Sequence, residues 1–289
     1  MNKNSRLRRT VRPVVWDTLS TLLRPTARWR VLPDYLIVGT QRGGTTSLQN
    51  ALMTHPNVTS ARLMKGVHYF DTAYHRGLDW YRLQFPTKAY ARMVERRSGA
   101  LFLVGEASPY YMFHPLAPER IERDLPGVKL IALLRDPVER AISHYKHEVR
   151  RGNEPLDLES ALDAEATRLA GERDRIVREQ PGYNSFAHQT FSYVARGHYA
   201  DQVESLITRL GGDRVLVLSS EQVFATPEDA LDRVAAFLGL RTRPPGEFPH
   251  MNPTPDSTVT ETTRLRLRDQ FTEGNDRLFS LLGERFPWQ

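Results

Sequence analysis

The stretch Gly39-Thr-Gln-Arg-Gly-Gly-Thr-Thr-Ser47 combines residue types and spacing that suit chemistry. Glycines let a backbone curl with its N–H groups turned inward, and a helix opening at the far end adds positive potential, so the loop suits a phosphate. Gly39 to Gly44 keep the spacing of a Walker A loop, but Thr45 stands where that loop has lysine. A triphosphate would lose its main β/γ contact there. The cation lies inside the loop instead, as Arg42, an arrangement that suits a nucleotide with a single 5′ anionic group. The competing reading is a plain structural turn. A second stretch is Arg135-Asp-Pro-Val-Glu-Arg-Ala-Ile-Ser143-His-Tyr145. Asp136 reads as an N-cap and Pro137 as the first helical residue, which sets Arg135 at the carboxyl end of a strand. Ligands bind at that edge of open α/β sheets. Ser143, two turns into the helix, is expected to aim its hydroxyl at the same place, and an arginine with a serine can grip a second phosphate. The alternative pairs Arg135 with Asp136 or Glu139 at the surface.

The elements that must position these residues follow from the apolar pattern. Four short runs, Tyr35 to Val38, Leu101 to Val104, Lys129 to Leu134 and Arg214 to Leu218, have the length and branching of buried strands. Helical patterns separate them at 45–54, 137–151, 155–180, 196–210 and 227–239. Strands alternating with helices imply an α/β fold with a central parallel sheet covered on both faces. Residues 241–260 carry five prolines and read as an extended loop, followed by two last short helices and an aromatic end, Phe286-Pro-Trp-Gln289, tucked inward.

Among 289 residues there is no cysteine, which excludes disulfides, thiolate nucleophiles, cysteine zinc sites and iron–sulfur clusters. The net charge of +6 is unevenly placed. Residues 1–30 hold eight basic side chains against Asp17, a charge of +7, and the remainder carries −1. A body that coats a duplex is thereby disfavoured, and no nucleic-acid partner is expected. Val15, Trp16, Leu19, Leu22 and Leu23 recur at helical spacing inside this arm, so residues 1–33 are read as a basic arm with an amphipathic helix. That helix either packs on the body or makes peripheral contact with an anionic membrane. No run approaches the ~18 apolar residues of a membrane span, and the N-terminus lacks the apolar core of a signal peptide. A cytoplasmic protein, peripheral at the membrane at most, is the expectation.

Together the two motifs resemble the sulfotransferase superfamily that uses 3′-phosphoadenosine-5′-phosphosulfate (PAPS). Three more stretches resemble the heparan-sulfate-type carbohydrate sulfotransferases and their bacterial relatives: Lys65-Gly-Val-His-Tyr-Phe-Asp71 with Gly77-Leu-Asp-Trp-Tyr81, Gly105-Glu-Ala-Ser-Pro-Tyr-Tyr111, and Phe237-Leu-Gly-Leu240. Arg196-Gly-His-Tyr-Ala-Asp-Gln-Val203 resembles the segment before the last core strand. The likeness runs from about Asp34 to Trp288 and implies one sulfotransferase domain over 34–289, a three-layer P-loop-type fold. It further implies that Arg42, Gly43, Gly44, Thr45, Thr46 and Ser47 hold the 5′-phosphosulfate, and that Arg135 and Ser143 hold the 3′-phosphate.

The same resemblance implies transfer of a sulfuryl group from PAPS to an acceptor hydroxyl, on a carbohydrate or glycoconjugate, without a metal. Arg42 stands where many members have lysine, and either cation neutralises a leaving phosphate. Gly66 stands where the heparan-type pattern has glutamate, the presumed general base. Among the catalytic candidates His68, Lys65, Arg42, Asp71 and Glu106, His68 is then the expected base with Asp71 steadying it, since a neutral imidazole suits proton abstraction near pH 7. Lys65 is expected to hold sulfuryl oxygens. Glu106 is the second candidate base, its other reading being to orient Lys65 or a loop. The alternatives are a P-loop kinase or NTPase-like enzyme, and a catalytically inactive nucleotide-binding protein whose basic arm meets polyanions. The resemblance also implies a soluble bacterial enzyme, because the membrane anchor and disulfide of Golgi relatives are missing from this sequence.

Overall fold

A computed structural model describes residues 20–61, 66–180, 182–245 and 259–288. Five parallel strands form one sheet in the order β2-β3-β1-β4-β5. They are β1 (Tyr35–Gly39), β2 (Val58–Ser60), β3 (Leu103–Ala107), β4 (Lys129–Leu134) and β5 (Val215–Ser219). Side chains alternate along each strand, so both faces are apolar. Leu36, Val38, Leu130 and Ala132 pack with Tyr199, Val203 and Leu206 of the Tyr199–Leu210 helix on one face. Tyr35, Ile37, Ile131 and Leu133 pack with Leu48 and Leu52 of the Thr45–Leu52 helix, and with Leu231 and Val234 of the Pro227–Leu238 helix, on the other. The result is the expected three-layer α/β fold of P-loop type, with the order reversing at β1.

The departures from the sequence expectation have local causes. β2 was invisible because it is three residues long and buries only Val58. β3 lies further along than Leu101 to Val104: Leu101 is exposed, whereas Gly105 and Glu106 are strand residues. Gly105 is required there, since a Cβ would collide with the Tyr35 ring. The 155–180 helix breaks into Leu158–Leu169 and Glu172–Arg178 at Gly171, whose φ is 72°. In place of two last short helices there is one of 22 residues, Glu261–Leu282. It runs through Gly274 because Leu267, Phe271, Leu278 and Phe279 are buried along it, which outweighs the ~1 kcal/mol that a mid-helix glycine costs. The aromatic end does fold inward, with Phe286 buried and Trp288 Nε1 donating to Glu221 at 2.9 Å. The part of the arm before residue 20, where an amphipathic helix was expected, and most of residues 241–260 lie outside the described residues. Residues Arg24–Trp29 form a 3-10 turn against the body, with Ala27 buried.

Candidate functional site

The loop after β1 carries the first set of expected residues. Gly44, at φ 91°, opens the Thr45–Leu52 helix, and no side chain caps it, so its first N–H groups remain for an anion. Gly43 is equally constrained: a Cβ would press on the Leu133 carbonyl. Arg42 also takes a positive φ of 74° and sends its Nε to Ser143 Oγ at 3.0 Å. Arg135 Nη1 reaches the Arg42 carbonyl at 3.4 Å. The structure therefore brings Arg42, Arg135 and Ser143 together, although 101 residues separate the first from the last. Burial lowers the Arg42 pKa, with the like charges of Arg150 and Arg135 adding to it.

Arg135 is held by its neighbours and has no carboxylate partner among the described residues. Asp136 Oδ1 is occupied as the N-cap of the Pro137–Arg151 helix, accepting from Val138 and Glu139 N–H at 2.8 and 3.1 Å. Glu139 pairs with Arg264. Neither acid of the surface-pairing alternative is thus joined to Arg135. The Arg135 carbonyl accepts from Tyr199 Oη at 2.9 Å, and the Asp136 N–H donates to Glu221 at 2.9 Å.

The second cluster lies in the segment before the Tyr74–Arg76 turn and at the end of β3. His68 Nδ1 meets Asp71 Oδ2 at 2.7 Å, and Asp71 is buried. The imidazole keeps 43% of its surface exposed, and among the described residues its Nε2 has no hydrogen-bond partner. Burial opposes the imidazolium, but the Asp71 charge and hydrogen bond, with Glu106 behind, outweigh it and push His68 up to about 9. Burial also works against the Asp71 carboxylate, yet His68 and the Thr72 N–H hold its pKa below the usual value.

His68 adopts φ 54°, a left-handed conformation uncommon for a side-chain-bearing residue. Its N–H donates to Ser108 Oγ at 3.1 Å, and Ser108 donates to Glu106 Oε1 at 2.5 Å. Glu106 takes further hydroxyl donors from Tyr81 at 2.5 Å and Tyr111 at 2.7 Å. Burial raises its pKa, opposed by these three hydroxyls. Both carboxylate oxygens are therefore engaged, and the group braces the His68 backbone through Ser108. Gly66, at φ 71°, leaves Nε2 open; a Cβ there would stand 3.1 Å from it. Lys65 lies outside the described residues.

One cleft of about 700 Å³ is lined by Thr45 and Thr46 of the first helix turn, by Gly66, His68 and Glu106, and by His147 and Arg151. Arg151 was not expected there, although Ser143, His147 and Arg151 recur every four residues along one helix, which was a usable signal. His144 is fully buried instead. Tyr81, Ser108 and Tyr111 were likewise missed as supports of the site.

Comparison with known proteins agrees with this geometry. The family model described as "Sulfotransferase domain" matches residues 32–260. The membrane-associated sulfotransferase kil1 of Dictyostelium discoideum is 24% identical over 89% of this chain and 67% of its own length. Human heparan sulfate glucosamine 3-O-sulfotransferase 3B1 is 30% identical over 73% of this chain and 47% of its own. The chain thus spans about two thirds or less of these curated relatives. A solved sulfotransferase from Alicyclobacillus acidocaldarius superposes with a TM-score of 0.63 at 26% identity, covering 89% of this chain and 98% of that one. With a family model matched across most of its length and a parallel sheet whose carboxyl edge carries the loop, the arginine–serine pair and the histidine, the chain belongs to the sulfotransferase family.

Proposed function

We propose that this sulfotransferase moves a sulfuryl group from PAPS to a hydroxyl of an anionic carbohydrate or glycoconjugate. The observation that carries the reading is that Arg42, Arg135 and Ser143 meet at the loop whose Thr45 and Thr46 line the same cleft as His68. The residues fit a donor with anionic groups at two ends: the loop and Arg42 take the 5′-phosphosulfate, Arg135 and Ser143 the 3′-phosphate. Because Ser143 Oγ already accepts from Arg42, its own proton is free for a phosphate oxygen.

Sulfuryl transfer, like phosphoryl transfer, relies on alignment and on stabilising charge as it builds on the leaving oxygen. In the proposed step, His68 Nε2 accepts the hydroxyl proton, and the acceptor oxygen forms its bond to sulfur as the bond from sulfur to the 5′-phosphate bridging oxygen breaks. Arg42 and the loop N–H groups receive the negative charge on the departing 3′,5′-ADP. Asp71 holds the imidazole and Glu106 braces the segment. Lys65 is placed by sequence alone and is assigned to the sulfuryl oxygens.

The anionic acceptor is inferred from Arg151 and His147, which line the cleft together with His68. The relatives named for heparan sulfate point the same way. Arg151→Ala is expected to raise KM for a sulfated or uronate-bearing oligosaccharide by about tenfold, the loss of one charge-assisted contact, while KM for PAPS stays unchanged. Transfer from labelled PAPS across a panel of charged and neutral saccharides checks this; equal use of both kinds would overturn the anionic assignment.

A peripheral membrane position is proposed from the Arg24–Trp29 turn. Leu22 and Trp29 are 73% and 55% exposed, and the Arg28 guanidinium lies 4.9 Å over the Trp29 ring. Arg30 bridges to Thr87, which brings exposed Lys88 and Arg92 of the next helix alongside. Exposed apolar groups ringed by cations suit an anionic lipid surface. The full chain is expected to sediment with phosphatidylserine vesicles and not with phosphatidylcholine vesicles. Leu22→Ala with Trp29→Ala should reduce the bound fraction severalfold, and an unchanged fraction would exclude this face. No described helix is long and apolar enough to cross a membrane.

A further inference from the structure

Arg196 is 1% exposed and lies 155 residues from the donor loop, yet its Nη1 donates to Oε1 of Gln41 inside that loop. Nε donates to Ser192 Oγ at 3.2 Å, and Nη2 to the carbonyls of His188 and Gln189 at 3.2 and 3.0 Å. The guanidinium carbon sits 5.1 Å from the Tyr110 ring centroid and 5.0 Å from that of Phe113. Both rings also bracket His188: Phe113 stacks on it at 4.3 Å, and Tyr110 Oη meets its Nδ1 at 2.7 Å. Burial, with the charge of Arg196, pushes His188 down to about 3, so this histidine is neutral.

No carboxylate among the described residues makes an ion pair with Arg196. The acids whose fields reach it are Glu148 and Glu165. Glu148 accepts from Asn153, and Glu165 from the N–H groups of Val194 and Ala195. Burial lowers Arg196 to about 10, which still leaves it charged at neutral pH. A buried guanidinium without a paired carboxylate is unfavourable, so its place beneath a loop shaped for an anion calls for a reason beyond packing.

The reason lies in the Gln41 amide. Arginine donates only, so the amide must turn its oxygen to Arg196; chemistry fixes an orientation that an isolated glutamine would leave open. The Nε2 group is left without a hydrogen-bond partner among the described residues. It stands next to Arg42 in the chain, with two N–H donors and a half-buried position. Arg196 alone could not reach a ligand in the cleft, being enclosed by two rings and two carbonyls.

We infer that Gln41 is a donor-binding residue whose Nε2 group hydrogen-bonds an oxygen at the 5′ end of the sulfuryl donor, and that Arg196 is the positioning residue that sets this amide. The inference rests on the donor reading above and adds two residues to it. It also explains why an arginine from the segment before the Tyr199–Leu210 helix, far from the reacting atoms, is spent on the loop.

Gln41→Glu separates this from a structural tether. A carboxylate at position 41 retains the Arg196 contact and strengthens it, but replaces the two donors by acceptor oxygens facing an anion. Calorimetry on the full chain is expected to show 3′,5′-ADP binding weakened at least about tenfold, with PAPS KM raised in step and the melting temperature not lowered. Affinity for 3′-AMP, which lacks the 5′ group, should stay within about twofold. If wild-type protein binds no 3′,5′-ADP, the donor reading itself fails. If wild type binds and Gln41→Glu leaves both nucleotides unchanged, or weakens both alike, the contact at the 5′ end is refuted. For Arg196, the conservative Arg196→Lys keeps the charge and removes the fork. Its loss in 3′,5′-ADP affinity should match that of Gln41→Ala, and the double variant should be no weaker than the weaker single one. Additive losses would overturn the positioning role. Should Arg196→Lys not fold, Gln41→Glu still decides whether the amide contacts the donor.

Discussion

His68→Gln is expected to lower kcat for sulfuryl transfer by about 10²- to 10⁴-fold, the range for removing a positioned general base, while the affinity for 3′,5′-ADP stays unchanged. The wild-type pH profile should carry the signature of the Asp71 pairing. Burial alone would lower the imidazolium pKa, but the facing carboxylate and its hydrogen bond, with Glu106 behind, raise it to about 9. Only the neutral imidazole accepts a proton, and with that pKa it is about one in a hundred of the molecules at pH 7. Rate under saturating substrates should therefore climb about tenfold per pH unit from pH 6 and level off above about 9. Asp71→Asn removes the anion, so the limb should move down towards the ordinary histidine value and the rate at pH 7 becomes less dependent on pH. A wild-type rate that is flat from pH 6 to 10, or a His68→Gln variant with full turnover, would remove His68 from the role. The same pair links folding to pH. Because the folded value lies above the unfolded one, near 6.5, the stabilisation from His68 is complete below that value and is lost as pH rises through about 9.

Gly66 belongs to the same argument. The resemblance to the heparan-type pattern implies a glutamate there as general base, and this chain has glycine in its place. In this fold the position has φ 71°, which a side-chain-bearing residue rarely adopts, and a Cβ would sit 3.1 Å from His68 Nε2. The glycine leaves the ring nitrogen open on the side where the cleft lies. A glycine at position 66 and an open His68 Nε2 thus belong to one local geometry, and Glu106, saturated by three hydroxyls, is not available to take the proton.

Sequence and structure part company at contacts that no spacing encodes. The glycine-rich loop after β1 was legible because glycines, a cation and a following helix act locally, and Arg135 because Asp136 and Pro137 mark a strand end and a helix start within three residues. His68 and Asp71 are three apart, but on a non-helical segment that spacing does not dictate contact; their 2.7 Å bond comes from the way Ser108 and the end of β3 hold the backbone. Gln41 and Arg196 meet only through the tertiary fold. The sheet was legible where strands are apolar throughout, as in β1 and β4, and illegible where burial is shared, as in β2, or where a glycine and a glutamate are accepted because Tyr35, Tyr81 and Tyr111 surround them.

Arg135→Ala is expected to weaken 3′,5′-ADP binding about tenfold to a hundredfold and to leave 5′-AMP binding nearly unchanged, the loss expected when a hydrogen-bonded charge partner of a phosphate is deleted. The selectivity follows from how the residue is held. Tyr199 fixes its carbonyl, Glu221 fixes the next N–H, and Asp136 caps the helix, so the backbone stays in place when the side chain is removed. Its other described contact, to the Arg42 carbonyl at 3.4 Å, is long and leaves the loop supported by Gly43 and the Thr45–Leu52 helix. Ser143→Ala should show a smaller loss of about tenfold and should also release Arg42 Nε, so it should raise KM for PAPS more than its effect on 3′,5′-ADP alone implies. Isothermal titration with 3′,5′-ADP, 5′-AMP and 3′-AMP for wild type and both variants separates the two ends of the nucleotide. Equal affinity of the wild type for 3′,5′-ADP and 5′-AMP would mean that no 3′-phosphate site exists at Arg135. A uniform loss across all three ligands would mean that the arginine supports the loop instead of reading the phosphate. Loss confined to the two nucleotides that carry a 3′-phosphate assigns the cation to that group, and with it the feature that distinguishes this donor from an ordinary adenylate.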